Sequence, residues 1–249
     1  MKKILISLSL MFAGYAQAQT CIPTPDCAGL GYTETSCSGA FLRCPFDTSK
    51  MFCASSSGSG GGGATPESGG CLVGMIYYSD GSCSTGLDSS KTAIGVVVED
   101  NAYVMSKPTS MTWASNTSTD VSSMTNFSSG DAAKGDYLGK LNTAAIVAAY
   151  SSDTTSNNAA KYCNSYSTAG TSAGQWYLPA AGEIVDFVSG NYATLARAFS
   201  KLGVAISGTF WSSSEYSSNY AWHVYSSDGN MFSSTKTDGN YSVSCLLAL

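Results

Sequence analysis

Apolar positions in this chain change period as it is read, and those changes mark its elements. Ile76-Tyr77-Tyr78 leads into Asp80-Gly81, and Ala93 to Val98 follows as an apolar, β-branched run. Asp-Gly between segments of this kind is a hairpin turn signal. Residues 105–136 are rich in Ser, Thr, Asn and Gly, with Trp113 and Phe127 as isolated anchors. They read as a long, irregular, surface-lying stretch. From 141 to 150 the pattern turns helical, with Leu141, Ala145 and Ala148 at helical spacing. A second helix over 157–166 carries Cys163. Pro179 suits a first helical turn, and Ile184, Phe187 and Val188 share one face of the helix after it. A further helix near 191–202 places Leu195, Phe199 and Leu202 together, and Gly203 ends it.

The C-terminal part returns to a period of two. Phe210-Trp211 opens one strand. In 221–227, Trp222 and Val224 face one way while His223 and Tyr225 face the other. Asp228-Gly229 and Asp238-Gly239 are two further hairpin turns, the second feeding YSVSCLLAL as the last strand. Strands, a long loop, helices and then an antiparallel sheet make an α+β fold, not an alternating βαβ fold that would bind a nucleotide.

The N-terminal part follows other rules. Lys2 and Lys3, the short apolar stretch Ile4 to Ala13 and Ala16-Gln17-Ala18 form a signal peptide over 1–18, with a mature start at Gln19. The stretch is too short to span a bilayer, and no other segment reaches that length. A lipoprotein anchor at Cys21 is the rival reading; Gln19-Thr20 before it fits that poorly. Cys21, Cys27, Cys37, Cys44 and Cys53 crowd into 19–54, a module too small to build a core without disulfides. Residues 55–70, SSSGSGGGGATPESGG, form a flexible linker with an r.m.s. span of about 20–25 Å. No Lys-Ser/Thr follows these glycines, which excludes a phosphate-binding loop. The large domain is 71–249.

Composition narrows the function. Charged residues are 12% of the chain, while 43 are serine and 26 glycine. A neutral, hydroxyl-rich surface fits an exported module better than a cytosolic enzyme. The net charge of −5 and the lack of a Lys/Arg cluster exclude nucleic acid as a partner. One histidine in the whole chain argues against histidine-centred catalysis and zinc, and no cofactor motif is present. Nine cysteines in an exported chain indicate disulfides, with at least one thiol left over because nine is odd.

GQWYLPAAGEI, WSSSEYSSNYAWHVYSSDG and YSVSCLL together carry a resemblance. They are similar to a W-x-L-P segment followed by Glu, a W-S-S-x-E segment, an A-W strand and a closing strand with Ser-Cys. That set resembles the bacterial Lcl C-terminal domain, of unknown function, and the related Fibrobacter major paralogous domain. The resemblance covers 71–249 and implies a C-type-lectin-like fold. It also implies a disulfide from a helical cysteine to the last strand, here Cys163 to Cys245. Cys71 and Cys83 are a second candidate pair around the first hairpin, with a pairing of Cys71 back to the head as the alternative.

The calcium-binding triplets of true C-type lectins are missing, and Glu215, Asp228 and Asp238 are scattered, so no metal site is expected. Glu183 reads as a charge opposing a helix dipole. No G-x-S-x-G surrounds any serine, and Cys245 stands alone, so no catalytic residue is assigned. Trp211 and Trp222 read as core. Tyr216, Tyr220, His223 and Tyr225, interleaved with Ser and Asn, are the candidate ligand-binding residues, because aromatic faces give rigid contact area and stack on sugar rings. The expected function is a secreted or surface-displayed, non-enzymatic adhesion protein that recognises a carbohydrate or protein ligand outside the cell. The alternative is a structural component of an envelope or fimbrial assembly. A retroelement-diversified ligand-binding protein is a third reading.

Overall fold

The computed structural model describes residues 41–44, 47–53, 70–116, 119–153, 158–239 and 241–249. The signal peptide, most of the Cys-rich module and the linker to residue 69 lie outside the described residues. The chain divides into two compact units, Met1–Thr65 and Pro66–Leu249. In the first, β1 (Phe41–Cys44) and β2 (Asp47–Cys53) pair antiparallel.

The second unit is α+β. It begins with β3 (Ile76–Tyr78), β4 (Cys83–Ser84), β5 (Ala93–Glu99), β6 (Tyr103–Met105) and β7 (Thr109–Met111). Helices α1 (Gly130–Ala133), α2 (Gly139–Ala149) and α3 (Ala159–Ser165) precede β8 (Trp176–Tyr177). Helix α4 (Ala181–Glu183) runs through a π turn (Ile184–Val188) and a 3-10 turn (Ser189–Asn191) into α5 (Tyr192–Lys201). The chain closes with β9 (Thr209–Glu215), β10 (Tyr220–Tyr225), β11 (Met231–Thr235), β12 (Tyr241–Val243) and β13 (Leu246–Ala248). Two sheets result, with strand orders β4-β3-β5-β6-β13-β8 and β11-β10-β9-β12-β7. All pairs are antiparallel except β12 with β9.

The apolar residues segregate into two clusters. One packs Ile184, Val188, Leu195 and Phe199 of the helical run against Ile76, Val96, Phe210, Trp222 and Val224. The other packs Ile146 of α2 and Cys163 of α3 against Val97, Val104, Trp176, Trp211 and Val243. β5 serves both clusters, which explains its continuous apolar run: a strand covered on both faces has no polar side. All four tryptophans are buried. Each indole N–H finds an acceptor: Trp113 donates to Ser212 O, Trp211 to Met111 O, Trp222 to Phe127 O and Trp176 to Thr171 Oγ1. Burying an indole without such a partner would cost the desolvation of its N–H. Cys71 is bridged to Cys83, and Cys163 to Cys245.

Several elements differ from the sequence reading. The Asp80-Gly81 turn joins β3 to β4, and Ala93 to Val98 pairs on the other side of β3. Asp238-Gly239 is not a hairpin turn, because β12 pairs with β9 and β7 and not with β11. YSVSCLLAL holds two strands, one in each sheet. Within 105–136, Trp113 and Val121 are fully enclosed, so this stretch is partly interior. Helix α2 buries Asn142, Thr143 and Ile146, while Leu141 is 66% exposed. The polar pair wins that face because Thr143 Oγ1 accepts from Leu178 N and Asn142 Nδ2 donates to Asp136. Pro179 lies ahead of the first helical turn, since Ala180 is the N-cap of α4.

Candidate functional site

Strand β9 sets the interior chemistry. Its Ser212, Ser213, Ser214 and Glu215 are all buried. Ser212 Oγ donates to Trp222 O, and Ser214 Oγ donates to Asp136 Oδ2 while accepting from Ala181 N. Asn142 Nδ2 donates to Ser213 Oγ, and Ser213 N donates to Pro179 O. The W-S-S-S-E segment is therefore a polar spine that ties β9 to α2 and to the start of α4. Glu215 forms an ion pair with Lys236, both side chains fully enclosed. Lys236 Nζ also donates to Thr119 O at 2.9 Å and lies 4.6 Å from the centre of the Trp113 ring. Glu215 Oε2 accepts from Val121 N at 3.2 Å. Burial pushes the Glu215 carboxyl up and the Lys236 ammonium down, and each charge opposes the other's shift.

Outside this spine, the four aromatic candidates split into two groups. The alternation of β10 puts Trp222 and Val224 on one face and His223 and Tyr225 on the other, as the sequence indicates. Tyr216 and Tyr220 pack edge to face at 6.2 Å near the β9–β10 turn, and Tyr216 sits 5.4 Å from Trp222. They belong to the Trp222 side. His223 and Tyr225 belong to the other. No single surface holds all four.

The His223 side is an aromatic stack. The imidazole lies parallel to Tyr241 at 4.3 Å and edge-on to Trp211 at 5.7 Å. Phe232, directly opposite His223 on β11, stacks at 6.2 Å and meets Tyr225 edge to face at 5.6 Å. Phe232 is 56% exposed and Tyr225 41%, while His223 beneath them is buried. His223 Nε2 and Ser234 Oγ are 3.0 Å apart, and Ser234 Oγ lies 2.9 Å from Tyr241 Oη. His223, a ligand-binding candidate in the sequence, is buried as the floor of the patch, and Phe232 and Tyr241 form the rest. Sequence patterning did not single out these two, although Phe232 follows the Asp228-Gly229 turn where β10 and β11 align.

Burial lowers the His223 imidazole to about 4, with Asp238 pulling the other way. The unfolded chain protonates its histidine near 6.5, so the neutral ring's contribution is complete above that pH and is lost as pH falls toward 4. The shift corresponds to about 3 kcal/mol at most. Because the chain has one histidine, its ring resonances titrate without overlap. We expect a midpoint well below 5.5 in the folded protein; a midpoint above 6 would show that the ring is open to water.

Of the scattered acids, Glu215 is committed to Lys236, and Asp228 lies exposed in its turn, accepting from Asn230 N and Nδ2. Asp238 acts on His223 through its charge. No cluster of three or more His, Cys, Asp or Glu suited to a metal occurs among the described residues. Glu183 does more than oppose a dipole. It is buried, its Oε2 accepts from Ala180 N at 2.7 Å, and its Oε1 accepts from Tyr177 Oη at 3.0 Å.

Comparison with known proteins gives one informative likeness. No family model matches the chain, and no curated protein matches it in sequence. A crystal structure of a fimbrial protein from Bacteroides ovatus ATCC 8483 is similar to it over 72% of this chain and 49% of that one, with a TM-score of 0.56 and 18% sequence identity. The chain thus corresponds to about half of that protein's length. At such identity the likeness concerns the fold. No helix among the described residues is long and apolar enough to cross a membrane.

Proposed function

We propose that this chain is an exported, surface-displayed binding protein without catalytic chemistry. Its large domain is of the Lcl C-terminal type, with a C-type-lectin-like arrangement, and recognises a carbohydrate or protein ligand through the β10–β11 patch. The observation that carries this reading is the exposed pair Tyr225 and Phe232, held on the rigid His223–Tyr241 stack with the Ser234 hydroxyl in the same layer. Rings fixed in advance lose little entropy on binding, and flat aromatic faces beside hydroxyls suit sugar rings or a partner's side chains. The bridge from α3 to the segment between β12 and β13 supports the fold assignment. A glycan array probed with the full chain tests it. Tyr225→Ser or Phe232→Ser should weaken any captured ligand about tenfold, in line with loss of an interfacial aromatic anchor. Tyr216→Ser, on the opposite face, should leave capture unchanged. Equal loss from all three would remove the patch as the site.

The fimbrial neighbour favours a second reading, in which the same patch joins subunits of an assembly. Sedimentation of the purified protein separates the two: an assembly subunit self-associates and Phe232→Ser reduces it, while an adhesin remains monomeric.

A further inference from the structure

A cavity of about 220 Å³ opens between α2, β6, β8 and α4, away from the β10–β11 patch. Tyr103, Tyr137 and Tyr177 wall it, Glu183 lies at its base, and Leu141 and Lys140 stand at the rim. Its floor is built, not incidental. Glu183 is fixed by Ala180 N and Tyr177 Oη, and Tyr137 Oη donates to Asp186 Oδ2 at 2.5 Å. Gly139 permits the approach of α2, since a methyl group there would fall on the Glu183 carboxylate and on Ala180 N. At the mouth the side chains are unusually apolar for this surface: Tyr137 is 47% exposed and Leu138 55%.

The charge at the base lacks a counter-ion. Among the described residues no cation forms a salt bridge with Glu183. The charged neighbour that acts on it is another anion, Asp136. Lys140 stands at the rim and forms no salt bridge with the carboxylate. Burial therefore holds Glu183 at about 7, well above an ordinary carboxyl group. A buried carboxylate with anionic neighbours is stabilised by any cation that enters, and tyrosine faces attract cations through their ring quadrupoles. The apolar mouth suits a methylene stem behind the charge.

We infer that this cavity receives a primary alkylammonium group, the head of a lysine side chain from a partner, with Glu183 as counter-ion and the tyrosine rings as walls. It is a binding site independent of the aromatic patch. The test uses the full chain, with Nα-acetyl-lysine N-methylamide titrated in and the amide resonances of Tyr137, Leu141 and Glu183 followed by NMR. Saturable shifts are expected, with Nε-acetylation of the probe weakening it at least tenfold. Affinity should rise between pH 6 and 8 as Glu183 loses its proton; Asp136, Asp186, Lys140, Tyr103, Tyr137 and Tyr177 are the other ionisable side chains on the elements around it. Glu183→Gln keeps an oxygen to accept from Ala180 N and turns an N–H toward the Tyr177 hydroxyl, but removes the charge, and should reduce binding at least tenfold. Tyr137→Ala, at an exposed wall, supplies the same test should the buried variant fail to fold. Equal binding of the acetylated probe, no loss in either variant, or the absence of saturable shifts would overturn the assignment.

Discussion

Lys236→Met is expected to lower the unfolding free energy by about 3–5 kcal/mol, the range for removing one partner of an enclosed ion pair. For a unit of this size that is a fall in Tm of roughly 10 °C. The physical cause is the carboxylate left behind. Glu215 would retain Val121 N but lose the ammonium that offsets the burial of its charge. The double replacement Lys236→Met, Glu215→Leu removes both charges and should recover a large part of the loss, because two apolar side chains need no solvation. Urea unfolding of the two single variants and the double gives the coupling directly. Additive losses would show that the pair acts as two separate side chains.

The second large effect is at Cys163 and Cys245. Their bridge spans 82 residues, and chain-entropy reasoning assigns it about 4–5 kcal/mol. The Cys71–Cys83 bridge spans 12 residues, for which the same reasoning gives about 3 kcal/mol. Replacing both members of the longer bridge with alanine should therefore cost more than the same change in the shorter one. Access runs the same way: Cys163 and Cys245 are fully buried, while Cys71 and Cys83 are half-buried. Graded reductant followed by alkylation and mass analysis should label 71 and 83 first. Labelling of 163 and 245 at the lower concentration would mean that α3 opens readily from the sheet.

Much of this architecture was legible in the residues. The helix over 192–201, the turn at Asp228-Gly229 and the opposite orientation of Trp222 and His223 all follow from short-range periodicity, which the backbone enforces locally. What stayed hidden depends on contacts between distant segments. Serines 212–214 look like surface residues because serine is usually exposed; here they are interior because Asp136, Ala181 and Trp222 offer partners from elsewhere in the chain. Lys236 gives no local sign of burial; Glu215, Thr119 O and the Trp113 ring, all distant in sequence, explain it. Leu141 matched a helical stripe, but α2 turns that stripe to solvent because Asn142 and Thr143 satisfy buried polar groups. The proposed binding surface was half legible: Tyr225 and His223 belong to the aromatic patch, and Phe232 and Tyr241 complete it from other strands.

Strand β13 lies inside its sheet, between β6 and β8. Leu246 and Leu247 face Met105 and Val104 on one side and Tyr177 and Trp176 on the other. During synthesis the flanking strands emerge long before the strand that joins them, so they wait with an open edge on each side. The sheet closes only when residues 246–248 arrive, which makes its completion a late event built on long-range pairing and exposes the waiting edges to proteases and to other chains. For a protein read as exported, that order favours keeping the chain unfolded until it has been delivered whole.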